Sequence, residues 1–258
     1  MKITVCEFPD EAAAFGPAWD HLEQALKAEP TDFLLLPELA AAESFWRSPK
    51  FDLAVWHEAV AAHAKLSTRL ERLSARRIVG TRAVEINRRR LNESFLWTAT
   101  RGLMPGRSKA WLPEQEGGWE ATWFDRDAPN VEPVDDDGLR FATLICTEIM
   151  VSAAPRALSR AGVQVIAAPR ATGGHRRWEI ATQMAAISAG AFVATANRRG
   201  GTLAGGSWIV GPDGCELART DAAHPVVTIE IDLAEADRAK LTYPRNAVEP
   251  AEKSETMR

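Results

Sequence analysis

The chain lacks any apolar run approaching the about 18 residues that a membrane-spanning helix needs, and its start, MKITVCEFPDE, reaches acidic residues at once. A membrane partner and a secretory leader are therefore not expected, and the reading is a soluble, cytoplasmic protein. Excess positive charge is missing too. The 31 Lys and Arg stand against 35 Asp and Glu, a formal charge of −4, so nucleic acid is not an expected partner. Glycine and proline, 17 and 15 of 258 residues, are too few for a collagenous or low-complexity chain. Cysteine is scarcer still: Cys6, Cys146 and Cys215 show no metal-ligand spacing and cannot all pair, so reduced thiols are expected rather than a disulfide framework. Neither a fixed-period repeat nor a Ser/Gly linker interrupts the chain. What is present, 46% hydrophobic residues over 258 positions, suits one large domain at about 150 residues per typical domain. That domain is expected over 1–248, with a polar tail at 249–258 that is free or in contact with a neighbour.

Apolar runs of strand length recur at 3–8, 33–36, 77–84, 94–100, 139–146, 163–168 and 191–196. Several are continuous rather than alternating, as in strands buried on both faces. Helical patterns suit 18–28, 53–75, 153–161 and 176–190. Strands alternating with helices predict an α/β fold. The segment 207–218 reads as a hairpin turning at Pro212-Asp213-Gly214, so the sheets are expected to be mixed.

Three patterns are decoys. GLMPGRSK at 102–109 has three residues between its glycines and Arg107 after the second, where a phosphate loop needs four and a Lys. His57 and His63 are six residues apart, so on a helix they diverge by about 240° and read as surface histidines rather than a zinc pair. The glycines of RRGGTLAGGS precede a strand and read as tight turns.

Chemistry concentrates elsewhere. Glu38, Lys109 and Cys146 each sit at or just beyond an apolar strand. In α/β sheets the carboxyl edge of the strands is where loops converge on ligands. A thiol attacks only as thiolate, so it needs a base or a cation, and Glu38 and Lys109 offer both. Taken singly, Cys146 reads as a small core hydrophobe and the acids as solvated surface. Their conjunction, with Glu38 set after four apolar residues and a Pro where an unpaired carboxylate is costly, favours the chemical reading.

At these residues the sequence resembles the nitrilase, or carbon–nitrogen hydrolase, superfamily. The likeness lies in LLLPE ending at Glu38, KAWLPEQE from Lys109 to Glu116, and CTE at Cys146 and Glu148. It extends through Arg156, the Pro169 segment, Asn197-Arg198, and Gly206, Ser207, Ile209, Pro212 and Gly214, and so covers nearly the whole chain. The resemblance implies a nitrilase-like α-β-β-α sandwich with mixed sheets, and subunits paired through helices flanking the Cys-bearing strand, as a homodimer or higher homo-oligomer. It implies hydrolysis of a small amide by a Glu38–Lys109–Cys146 triad through a thioester, with Glu116 as the second glutamate positioning Lys109 or substrate. The Thr147 backbone N–H joins Lys109 at the oxyanion, and no cofactor or metal is required. Glu148 is read either as a support beneath the nucleophile turn or as a direct participant.

Trp111, His175, Arg176 and Trp178 are candidate pocket residues, because they lie beside Lys109 or in the loop after the strand at 163–168. The arginines of that loop suit an anionic substrate, a solvated surface or a partner subunit. Cys-Thr-Glu departs from the Cys-Trp-Glu usual in nitrile-cleaving members and favours amides, while Ser152-Ala153 and Ser188-Ala189 depart from the usual Pro-Glu and Glu-Asn. Nitrilase or N-carbamoyl amidohydrolase activity on the same triad remains the alternative. Two readings of other classes stand beside it: a Cys146–His175 hydrolase and a catalytically silent binding protein.

Overall fold

The computed structural model describes residues 1–247. The tail expected over 249–258 lies outside the described residues.

Two six-stranded sheets stack face to face. The first runs Val226–Glu230, Lys2–Cys6, Phe33–Leu35, Ile78–Ile86, Arg89–Thr98, Gly102–Ser108; the second runs Glu216–Arg219, Trp208–Val210, Phe192–Ala196, Val165–Pro169, Leu139–Thr143, Val134–Asp136. In each sheet three adjacent strands are parallel, flanked by antiparallel strands. The sheets are thus mixed, as the hairpin signal predicts.

The pleat sorts the apolar runs onto two faces. Ile3, Val5, Phe33, Leu35 and Val79 meet Phe141, Val165, Ala167, Phe192 and Ala194 between the sheets. There the Phe33 and Phe141 rings lie edge to face, 5.4 Å apart. Cys6, Leu34, Leu36 and Ile78 point the other way, against Trp19, Leu22 and Leu26 of the helix Ala12–Ala28. On the far side Ala142, Ile166, Ala168 and Val193 take the helices Ala153–Arg160 and Arg177–Ala189 through Leu158, Ala185, Ala186 and Ala189. Burial on both faces explains why these strands read as unbroken apolar runs.

Several boundaries move. The helix expected over 53–75 is two, Leu53–Ala64 and Leu66–Leu70. Its start is set by Asp52, whose carboxylate accepts the N–H groups of Ala54 at 2.8 Å and Val55 at 3.2 Å. The phosphate-loop decoy at 102–109 is the edge strand Gly102–Ser108. His63 is not a surface histidine: it is buried, its Nδ1 lies 2.7 Å from the Ala59 carbonyl oxygen, and burial lowers its pKa to about 4. Among the described residues no helix is long and apolar enough to cross a membrane.

Candidate active site

Glu38 follows the strand Phe33–Leu35, Lys109 follows Gly102–Ser108, and the strand Leu139–Thr143 leads into Cys146. All three converge at one edge of the stacked sheets. Lys109 Nζ donates to Glu38 Oε1 at 2.9 Å and to Glu120 Oε1 at 2.8 Å. Asn92 Nδ2 also donates to Glu38 Oε1, at 2.8 Å. The other Glu38 oxygen, Oε2, is buried with no protein hydrogen-bond partner among the described residues. Ligand atoms of Glu38, Glu120 and Cys146 all lie within 4.8 Å of one another. Such a spacing suits a cation, but the Lys109 ammonium lies between the two carboxylates, and its charge disfavours a metal ion beside it.

The backbone is strained where these groups meet. The strand expected over 139–146 ends at Thr143, and Cys146 opens a short 3₁₀ turn, Cys146–Met150, with φ of 52°. Leu39, next to Glu38, has φ of 51°, and its N–H is held by Thr81 Oγ1 at 2.8 Å. Non-glycine residues adopt this region at a cost that surrounding structure must offset. At Cys146 the support is Glu148. Its buried carboxylate accepts the N–H of Ile145 at 2.8 Å and of Ala110 at 2.8 Å, and Arg107 clamps it from the other side. Of the two roles read for Glu148, this geometry supports the structural one.

Burial opposes the Lys109 charge, but the Glu120 and Glu38 carboxylates outweigh it and hold its pKa well above the ordinary lysine value. Burial raises Glu120 to about 7, against the pull of Lys109 and with the push of Glu38. Burial and the Glu38 charge likewise raise the Cys146 thiol, which Lys109 only partly counters. Burial thus favours the protonated thiol at Cys146, with a Glu38 carboxylate oxygen within 4.8 Å of its Sγ.

Glu116, expected to accompany Lys109, does not approach it. Residues 114–119 form a small hairpin, Glu114–Gln115 against Gly118–Trp119, that carries Glu116 outward into solvent at the cleft rim. The helical turn Glu120–Trp123 then returns the chain, anchored by Trp123 among Phe45, Trp56 and Phe124, and points Glu120 at the ammonium. No periodicity marks Glu120 in the sequence; its only cue is its place inside the aromatic run WEATW.

A cleft of about 590 Å³ opens onto Cys146. Thr147, His175 and Trp178 line it, together with Arg177 of the arginine-bearing loop and with Trp46 and Arg47, which the sequence did not single out. Arg176 faces a neighbouring hollow instead, and half-buried Trp111 lines neither.

The sequence profile described as carbon-nitrogen hydrolase matches residues 2–241. No curated protein matches the chain in sequence. Among solved structures, a carbon-nitrogen hydrolase from Helicobacter pylori G27 is similar at a TM-score of 0.84, with 20% identity, covering 95% of this chain and 94% of that one. An amidase from Nesterenkonia sp. is similar at 0.76, with 19% identity over 93% and 94% of the two chains. A CN-hydrolase superfamily protein from Xanthomonas campestris, with an arsenic adduct in its active site, also reaches 0.76, with 18% identity over 95% of each. At such identities these structures establish the shared fold, the nitrilase-type sandwich. Because the profile spans nearly the entire chain, the protein belongs to the carbon–nitrogen hydrolase family.

Proposed function

We propose that the protein hydrolyses the C–N bond of a small, non-peptide amide through a thioester on Cys146, releasing ammonia or an amine. The observation that carries this reading is the Glu38 carboxylate close to the Cys146 Sγ, with Oε1 fixed by Lys109 and Asn92 and Oε2 buried without a hydrogen-bond partner among the described residues. Because the thiol rests protonated, Glu38 takes the Sγ proton as Sγ bonds to the carbonyl carbon. Negative charge then gathers on the carbonyl oxygen, where the Lys109 ammonium and the Thr147 backbone N–H receive it. The C–N bond breaks, and the nitrogen leaves with the proton from Glu38. Water next attacks the thioester, giving its proton to Glu38; the acid departs and Sγ recovers the proton. Glu120 positions Lys109 rather than attacking, since both of its oxygens face the ammonium, at 2.8 and 2.6 Å. No step calls for a metal or organic cofactor.

The Cys–His reading has less support. His175 stands exposed on the rim, and its Nδ1 accepts the Arg177 N–H at 3.1 Å rather than being oriented by a carboxylate. The test is a screen for released ammonia across aliphatic and aromatic amides, carbamoyl compounds and nitriles, repeated with Cys146→Ala. Turnover of amides that vanishes in the variant is the expected result. Comparable turnover by the variant removes the thioester mechanism. Consistently higher kcat/KM for nitriles than for amides of the same side chain overturns the amide preference while leaving the triad standing.

A further inference from the structure

Arg170 immediately follows the strand Val165–Pro169 and is fully buried, yet no carboxylate pairs with it among the described residues. Other buried arginines differ: Arg77 pairs with Asp136 at 2.5 Å and Arg198 with Asp10 at 3.1 Å. The Arg170 guanidinium donates only to neutral acceptors, Thr172 Oγ1 at 3.2 Å, Thr195 Oγ1 at 3.2 Å and the Gly206 carbonyl at 2.8 Å. It stacks on the Trp208 ring at 4.1 Å. Two N–H donors of this pair, Arg170 Nε and Trp208 Nε1, are buried without an acceptor among the described residues. A buried cation and two unsatisfied donors are costly unless something negative meets them. Burial accordingly lowers the Arg170 pKa to about 10.

Both residues line a hollow of about 260 Å³ that shares the wall Gly173–Gly174–His175 with the catalytic cleft. Arg176 also lines it, exposed and without an ion pair among the described residues. Arg199 and Arg219 reach the same hollow but are engaged by Glu7 and by Glu179 and Glu216. Gly206 has φ of 72°, a conformation that favours glycine, and a Cβ there would stand in contact with Trp208 Nε1 at 3.4 Å.

We infer that this hollow binds a small oxyanion, a phosphate or carboxylate group received by Arg170, the Trp208 indole N–H and Arg176. Such groups match clustered guanidinium and N–H donors. The site is separate from the catalytic cleft but tied to its frame, because the Arg170 carbonyl accepts the Glu38 N–H at 3.3 Å.

Inorganic phosphate and, separately, acetate are titrated calorimetrically into the full chain at constant ionic strength, with sodium chloride making up the difference. The arms decide which group the hollow takes. Saturable binding of at least one, at one site per chain, is expected, weakened tenfold or more in both Arg176→Gln and Trp208→Phe. Circular dichroism checks the second variant's fold; the first alters an exposed side chain. No saturable binding of either anion, or affinity unchanged in folded Arg176→Gln, overturns the site. Displacement of the anion by an amide that occupies the cleft would place it at Cys146 and equally overturn it. The direct titrations of wild type and variants do not depend on turnover or on an amide ligand, so failure of the amide-hydrolysis reading leaves them intact.

Discussion

Arg107 and Glu148 form a two-pronged ion pair beside the Cys146 turn, with Nη2 donating to Oε1 at 2.8 Å and Nη1 to Oε2. Arg107 belongs to the strand that delivers Lys109, and Glu148 to the turn that begins with Cys146. One carboxylate therefore fixes the ammonium-bearing segment and the thiol-bearing turn against each other. Glu148→Ala is expected to destabilise by about 3–5 kcal/mol, since it strands a largely buried guanidinium and two backbone N–H groups. Denaturant unfolding measures the loss, and a change under about 1 kcal/mol would refute the anchoring role.

Cys146→Ala should abolish turnover while leaving the melting temperature near wild type, because the thiol supplies bonding chemistry rather than packing volume. Cys6→Ala and Cys215→Ser should keep activity: Cys6 is a buried group against the helix Ala12–Ala28 and Cys215 is exposed. Ammonia release from the three variants tests the contrast.

Glu38→Gln preserves size and still accepts from Asn92 and Lys109 through its amide oxygen, but cannot take the thiol proton. A fall in kcat of about 10²–10⁴-fold is expected. Single-turnover kinetics should show both acylation and thioester hydrolysis slowed. A wild-type rate near neutral pH would assign the base elsewhere.

Glu120 gives a pH signature. Its folded pKa, about 7, lies above the ordinary 4.5, so the folded chain holds an extra proton between those values. The resulting stabilisation is complete below about pH 4.5 and is lost as pH rises through about 7. Wild type minus Glu120→Gln, compared by melting temperature from pH 4 to 8, should decline across that window. A flat difference would mean that folding leaves the Glu120 pKa unshifted.

Self-association is proposed through the helix Arg177–Ala189. Ile180 and Met184, one turn apart, are 53% and 56% exposed, an apolar stripe suited to a twofold partner. Sedimentation should give a mass near twice 28.2 kDa or a multiple of it, and Met184→Lys should shift it toward monomer. An active wild-type monomer at micromolar concentration would refute this.

By itself the sequence determined the two-sided burial of its strands, the edge on which the reactive groups gather, and three of the four groups at the centre. Continuous apolar runs such as FLLL and VQVIAA carry that information locally, because a strand covered on both faces has no polar side to show. The fourth group was decided by tertiary structure. Glu116 and Glu120 differ little in their neighbours, and only the hairpin at 114–119 and the packing of Trp123 determine which carboxylate turns toward Lys109. His63 is the same kind of case: its charge state follows from the sheet edge and helices that enclose it rather than from its spacing to His57. The Arg107–Glu148 clamp spans 41 residues, and Arg170 stands out because no carboxylate among the described residues pairs with it. Those relationships join or separate distant segments, and they exist only once the two sheets have stacked and burial has set which charges meet.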